Sequence, residues 1–364
     1  MPLYPLPGKG IVVLVFNLIC LHSCSQAQQA FVGYATATVD SAHIQTQTFG
    51  YADQAAGISY SDLTVQPVGS VSKTLIGMSL MIAKDQGLID LDADINDYLD
   101  FPVQNPRLKD GAPITLRHLA THTSGIIDTD KNYEQAYSKG KVPEKDLGTY
   151  LKDYLLPGGT LYSKKQWSKH TPGTYYEYSN VGAALAAHVL ERASGIPFDQ
   201  FTQRHILTPL GMTHSGWSYA SIDESQHAVL YDAAREPIGP YTLITYPDGG
   251  FRTCIQDLAI YLQTLIQGYA HQSDLLTPAA WDEWFSMQFT EAKPVQNIDP
   301  REPNSGIFMM HAKSGKIGHT GSDPGVSAFM FFNPETLRGQ LFMTNLDITE
   351  ENVEQFKEIW DRLE

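Results

Sequence analysis

The sequence predicts an α/β (α+β) protein, with an antiparallel sheet flanked by helices and a mostly helical region inserted into it. Strand-like runs stand at both ends of the chain, and a long middle is rich in helical stretches and loops. The composition is that of an ordinary globular domain. Hydrophobic residues make up 42% and charged residues 18% of 364 positions, enough for a buried core and too apolar for disorder. Lys and Arg number 25 against 40 Asp and Glu, a formal net charge of −15, and that balance repels nucleic-acid phosphates. Three cysteines cannot scaffold a fold of this size through disulfides.

Taken in order, Ala30–Asp40 and Ile44–Tyr51 alternate in polarity and are rich in Val, Thr, Tyr and Phe, which predicts a hairpin. Apolar residues then recur at helical spacing from Ser70 to Gln86, with Gly87 as the stop. From Asp90 to about Pro240, helical stretches such as Ile114–Thr121 and Val181–Ala193 are joined by long loops. Strand-like runs return at Gly306–His311, Lys316–His319, Val326–Asn333 and Gly339–Asn345, and a last helix is expected over Glu350–Leu363. The division expected is a sheet subdomain of residues 28–90 plus 245–364 around a helical subdomain of 91–244, together one domain.

The N-terminus reads as an address. Ile11–Leu21 is an apolar run behind Lys9, too short to span a bilayer and suited to the core of a secretory signal covering residues 1–27. Leu21-His22-Ser23-Cys24 resembles a bacterial lipobox, in which Cys24 would carry a lipid anchor; cleavage near Ala27 is the alternative. The protein is therefore expected to be exported, whether periplasmic, secreted or lipid-anchored. Cys20 would leave with the signal, and Cys254 has no obvious partner.

Ser70-Val71-Ser72-Lys73 opens the first helix. Residues three apart share a helix face, so the hydroxyl and the amine can meet. A helix N-terminus favours developing negative charge, and a desolvated lysine can serve as base for a serine nucleophile. Ser-x-x-Lys alone is weak, and Ser138-Lys139-Gly140-Lys141 repeats it in a polar loop without a following apolar run. Company decides. Tyr178-Ser179-Asn180 follows Ser70 by 108 positions and precedes a small-residue helix, and His319-Thr320-Gly321-Ser322 follows Tyr178 by 141.

That order and spacing resemble the serine β-lactamase and penicillin-binding-protein-like hydrolases, a superfamily of class C-like β-lactamases, DD-peptidases, esterases and D-aminopeptidases. Ile114–Ile126, Pro172–Gly195, Leu207–His214 and Gly249–Leu262 also match its habits. The resemblance implies a β-lactamase/transpeptidase-like fold. It implies Ser70 as acylated nucleophile, Lys73 as its proton partner, and Tyr178 as relay to the leaving group. Asn180 would hold a substrate amide oxygen, with the Ser70 and Ser322 amides as oxyanion hole and His319, Thr320 and Gly321 lining the same strand.

His319 stands where β-lactamases usually carry lysine, which favours secreted DD-peptidase and D-amino-acid peptidase forms. If protonated, it could receive a substrate carboxylate. Carboxylesterase, β-lactamase and a non-catalytic binding protein are the alternatives. His118 and His122 have metal-pair spacing without the accompanying glutamate, so neither a metal nor a cofactor is expected. The expected partner is a small-molecule or peptide substrate, with no nucleic acid. Eight lysines between residues 128 and 170 read as a solvated loop, or less simply as a rim attracting anions, and Arg301 as a possible anion anchor.

Overall fold

The computed structural model describes residues 30–109 and 111–364. The expected signal, Cys20 and the lipobox cysteine Cys24 lie outside the described residues. Eight antiparallel strands form the main sheet: β1 (Gly33–Val39), β2 (Ile44–Asp53), β3 (Ile58–Ser59), β4 (Asn304–Ser305), β5 (Met310–His311), β6 (Ile317–Asp323), β7 (Val326–Asn333) and β8 (Arg338–Thr344). Their spatial order is β4-β5-β6-β7-β8-β1-β2-β3, so N-terminal and C-terminal strands meet where β1 pairs with β8. The helices named below are α1 (Ser72–Asp85), α2 (Leu116–Ala120), α3 (Leu147–Leu155), α4 (Asn180–Ser194), α5 (Ile255–Tyr269), α6 (Pro278–Phe285) and α7 (Val353–Asp361).

Alternation along the strands builds two cores. Ala35, Ala37 and Val39 of β1, with Leu341 and Met343 of β8, join the large core. Tyr34 and Phe342, pointing the other way, pack with Phe356 and Ile359 of α7. Small residues on the inner face let α5 approach closely. A Cβ on Gly339 would stand 2.7 Å from Leu262.

The mostly helical middle centres on α4, whose residues Val181–Leu190 are all buried. Gly182, Ala183, Ala184, Ala186 and Ala187 let neighbouring backbones approach, and Gly195 closes the helix in the left-handed region at φ 70°. Its N-terminus thereby reaches the start of α1. The sheet contributes β6 to the same place.

Four elements differ from the sequence reading. The helix expected from Ser70 begins as a 3₁₀ turn over Gly69–Val71 and becomes α-helical at Ser72. Of the single strand expected over Gly306–His311, only Met310–His311 is strand (β5), and Gly306–Met309 is a bend between β4 and β5. There the amides of Ile307 and Phe308 bond to the carbonyls of Trp284 and Ala120, and Phe308 has φ 52°. The strand expected to end at His319 runs on to Asp323, and the last helix covers only Val353–Asp361.

Candidate active site

The turn over Gly69–Val71 sets Ser70 one turn ahead of Lys73, which is completely buried. Three acceptors surround the Lys73 amine: Ser70 Oγ at 2.9 Å, Asn180 Oδ1 at 2.7 Å and the Asp248 carbonyl at 2.7 Å. An ammonium has three donors for these three acceptors. As an amine, the same nitrogen can accept the Ser70 proton while donating to the other two. The Tyr178 ring lies with its centroid 5.0 Å from Lys73 Nζ.

Ser70, Tyr178, Asn180, His319, Thr320, Gly321 and Ser322 line one cleft of about 420 Å³. Glycine is required where β6 crosses the head of α1. A Cβ on Gly321 would sit 2.0 Å from the Val68 carbonyl and 3.0 Å from the Ser70 amide nitrogen; one on Gly69, which has φ 52°, would sit 2.7 Å from the Ser322 amide nitrogen. The two glycines thus bring the Ser70 and Ser322 amides against one another. Backbone donors placed beside a serine hydroxyl suit charge developing on an acyl oxygen. Gly321→Ala is expected to cost about 1–3 kcal/mol through overpacking. It should also slow covalent labelling of Ser70 by roughly 10²-fold through displacement of β6. Labelling kinetics and urea midpoints check both, and an unchanged rate would separate β6 from the chemistry.

One histidine, His122, braces the tyrosine. The His122 ring lies over Tyr178 with centroids 4.2 Å apart. Its carbonyl accepts the Glu177 N–H at 2.8 Å and its Nδ1 accepts the Ser179 N–H at 3.2 Å, so it grips the chain on both sides of Tyr178. Burial, aided by Lys73, holds this imidazole well below its usual range. His118 has a separate task, its Nδ1 accepting the Thr115 N–H at the start of α2. Among the described residues no group of three or more His, Cys, Asp or Glu side chains is placed to hold a metal ion.

His319 is buried and hydrogen-bonds through Nδ1 to the Thr320 carbonyl at 2.6 Å, so Nδ1 carries the proton and Nε2 the lone pair. Burial first, and the Lys73 charge second, bring its pKa down to about 3. It is therefore neutral where the sequence suggested a carboxylate-binding cation. The unfolded imidazole binds a proton near pH 6.5 and the folded one near 3. The stability this gives is full above 6.5 and is lost as pH falls toward 3. Nitrogen-15 NMR should show His319 as the Nδ1–H tautomer throughout pH 5–8; a midpoint above 6 would overturn the assignment.

A family model described as Beta-lactamase matches residues 22–364. The chain belongs to the beta-lactamase family. It is 28% identical over 294 residues to a putative penicillin-binding protein, PbpX, of Bacillus subtilis (strain 168), covering 79% of this chain and 68% of that protein. It is 30% identical over 195 residues to the esterase EstB of Burkholderia gladioli, covering 52% of this chain but only 47% of that protein. The fold resembles a beta-lactamase/D-alanine carboxypeptidase from Pseudomonas syringae, with TM-score 0.71, 19% identity, and coverage of 96% and 99% of the two chains. Members of this family are serine hydrolases.

Several site residues of this beta-lactamase-family chain carried no recognisable sequence pattern. Asp128 holds the start of α4, its Oδ1 accepting from Ser179 Oγ at 2.8 Å and the Val181 N–H at 3.2 Å, its Oδ2 from the Asn180 N–H at 2.5 Å. Asp248 and Asp323 line the cleft, each bonded to a phenol, Tyr133 at 3.0 Å and Tyr137 at 2.5 Å. Burial raises them to about 7 and about 6 respectively, although Lys73 pulls both down. The lysine-rich segment contributes no lysine to the cleft lining. Lys141 pairs with Glu224 and Lys145 with Asp153. Arg301 is 86% exposed and pairs with Asp299 at 2.7 Å, which leaves it poorly suited as an anion anchor.

Proposed function

We propose that this protein is an exported serine hydrolase that cleaves amide or ester bonds through an acyl-enzyme on Ser70, with D-amino-acid or DD-peptidase-like activity ranking first. The observation that carries the reading is the Lys73 amine held at 2.9 Å from Ser70 Oγ and 2.7 Å from Asn180 Oδ1, beneath Tyr178. Lys73 takes the hydroxyl proton as Ser70 attacks the acyl carbon, and Tyr178 returns a proton to the departing group. The Ser70 and Ser322 amides stabilise the oxyanion. Asn180 orients Lys73 and the substrate amide oxygen, while His319, Thr320 and Gly321 form the wall along which substrate lies. Water then releases the acyl group and restores the serine.

The apolar run behind Lys9 supports export, by signal cleavage or through a lipid on Cys24. A carboxylesterase is the second reading, favoured by the likeness to the Burkholderia esterase and by the smaller help an ester leaving group needs. A neutral His319 in place of a permanent cation counts against a β-lactamase. A hydrolysis panel of D-alanyl peptides, p-nitrophenyl esters and a chromogenic cephalosporin tests the order. Turnover of the peptides supports the first reading; turnover confined to esters or to the cephalosporin overturns it.

A further inference from the structure

Part of the cleft wall is a corner of two tyrosine rings. Tyr133 and Tyr137 both line the cleft and stand edge to face, with centroids 6.0 Å apart and planes at 84°. Each is partly exposed, and each spends its hydroxyl on a buried aspartate. Tyr133 donates to Asp248 Oδ1 at 3.0 Å and Tyr137 to Asp323 Oδ1 at 2.5 Å. With the polar tips turned to buried carboxylates, the surface that these side chains show the cleft is ring carbon. Two perpendicular rings offer one face and one edge, the arrangement against which a third ring packs well.

The corner is held in place and belongs to the segments that carry the chemistry. Tyr137 pairs through its backbone with Leu243, and its ring lies against Tyr241 with centroids 5.9 Å apart. Tyr133 packs against the large core. Asp248, which anchors Tyr133, is also the residue whose carbonyl accepts from the Lys73 amine at 2.7 Å. Asp323, which anchors Tyr137, directly follows Ser322 on β6. Tyr176, Tyr178 and Met310 add further carbon to the same cleft. Rings already fixed at both ends lose little freedom when a ligand packs on them, so their contact area is realised as affinity.

We infer that the Tyr133–Tyr137 corner is a subsite for a flat aromatic group carried within a few bonds of the scissile carbonyl. Substrates with an aryl side chain are then taken ahead of those with a methyl group or a saturated ring. This rests on the Ser70 acyl-enzyme reading and narrows it, from amides and esters in general to those bearing an aromatic side chain.

The test is protection of Ser70 from a fluorophosphonate by the racemic N-acetyl amides of phenylalanine, cyclohexylalanine and alanine, which are all neutral. Burial of the ring predicts protection by the phenylalanine amide at roughly 10–100-fold lower concentration than by the alanine amide. Ring-on-ring packing predicts a roughly 2–10-fold preference over the cyclohexylalanine amide, whose ring is apolar but not flat. Tyr133→Leu and Tyr137→Leu should each narrow both ratios. Tyr137→Phe, which keeps the ring and loses the hydroxyl, should retain them. Equal protection by the phenylalanine and cyclohexylalanine amides, or no protection by any of the three, overturns the inference whatever the variants do. So does an undiminished phenyl preference in both folded leucine variants, or its loss in folded Tyr137→Phe. Absence of labelling in the unprotected protein would instead remove the acyl-enzyme reading itself, so the two failures are distinguishable.

Discussion

Lys73→Ala is expected to slow acylation of Ser70 by about 10²–10⁴-fold, the range of a positioned general base. Among the described residues the amine is the only group that bonds Ser70 Oγ, at 2.9 Å, and it does so from a fully buried position. Removing it also strands the buried Asp248 carbonyl and the half-buried Asn180 Oδ1, for about 1–3 kcal/mol of stability. A charge-keeping variant separates the two effects. Lys73→Arg preserves a cation but cannot give up its proton, so it should be as slow as alanine if the lysine acts as base. Rescue by arginine would show that positive charge alone is needed. Labelling rates and urea midpoints on the same samples distinguish loss of chemistry from loss of fold.

Asp128→Ala should be the more damaging change to the scaffold. Its carboxylate accepts from Ser179 Oγ and from the Asn180 and Val181 amides, the donors that open α4, and helix dipole and charge act together there. Deleting it leaves three donors unsatisfied, for an expected loss of about 3–4 kcal/mol. Asn180 lies within the released segment and Tyr178 directly precedes it, and a displacement near 1 Å costs about 10²-fold in rate. Asp128→Asn keeps one acceptor but turns an amide N–H toward a backbone donor, so it should fall between wild type and alanine. Wild-type labelling in Asp128→Ala would mean that α4 needs no such tether.

The pieces of the site visible in the sequence were those with a short-range signature. Ser70 and Lys73 meet because three residues along a helical turn share a face, and Tyr178, Asn180 and His319 through Ser322 stand in motifs whose order could be compared with a family. Asp128, Asp248 and Asp323 had no such signature, because a lone aspartate becomes informative only when burial removes it from water, and burial belongs to the tertiary fold. His319 shows the same limit in reverse. Its identity suggested a titrating cation, whereas a buried place beside Lys73 makes it a neutral ring. Among the elements, the alternating strands were legible from period two. The bend at Gly306–Met309 was not, since its amides are taken by Trp284 and Ala120, far away in the chain. Helix α5, amphipathic over Ile255–Tyr269, lies in a segment that the sequence marks only by its family likeness.

Covalent acylation of the Ser70 oxygen is the event on which every other step depends. Incubating the intact protein with a fluorophosphonate and, separately, a fluorescent penicillin, then locating any adduct by peptide mass, measures that. The expected result is a single adduct on the peptide carrying Ser70, lost in Ser70→Ala, with the penicillin reacting more weakly because the cleft offers its carboxylate no cation. An unlabelled Ser70 with both reagents, in protein shown to be folded, would contradict the account.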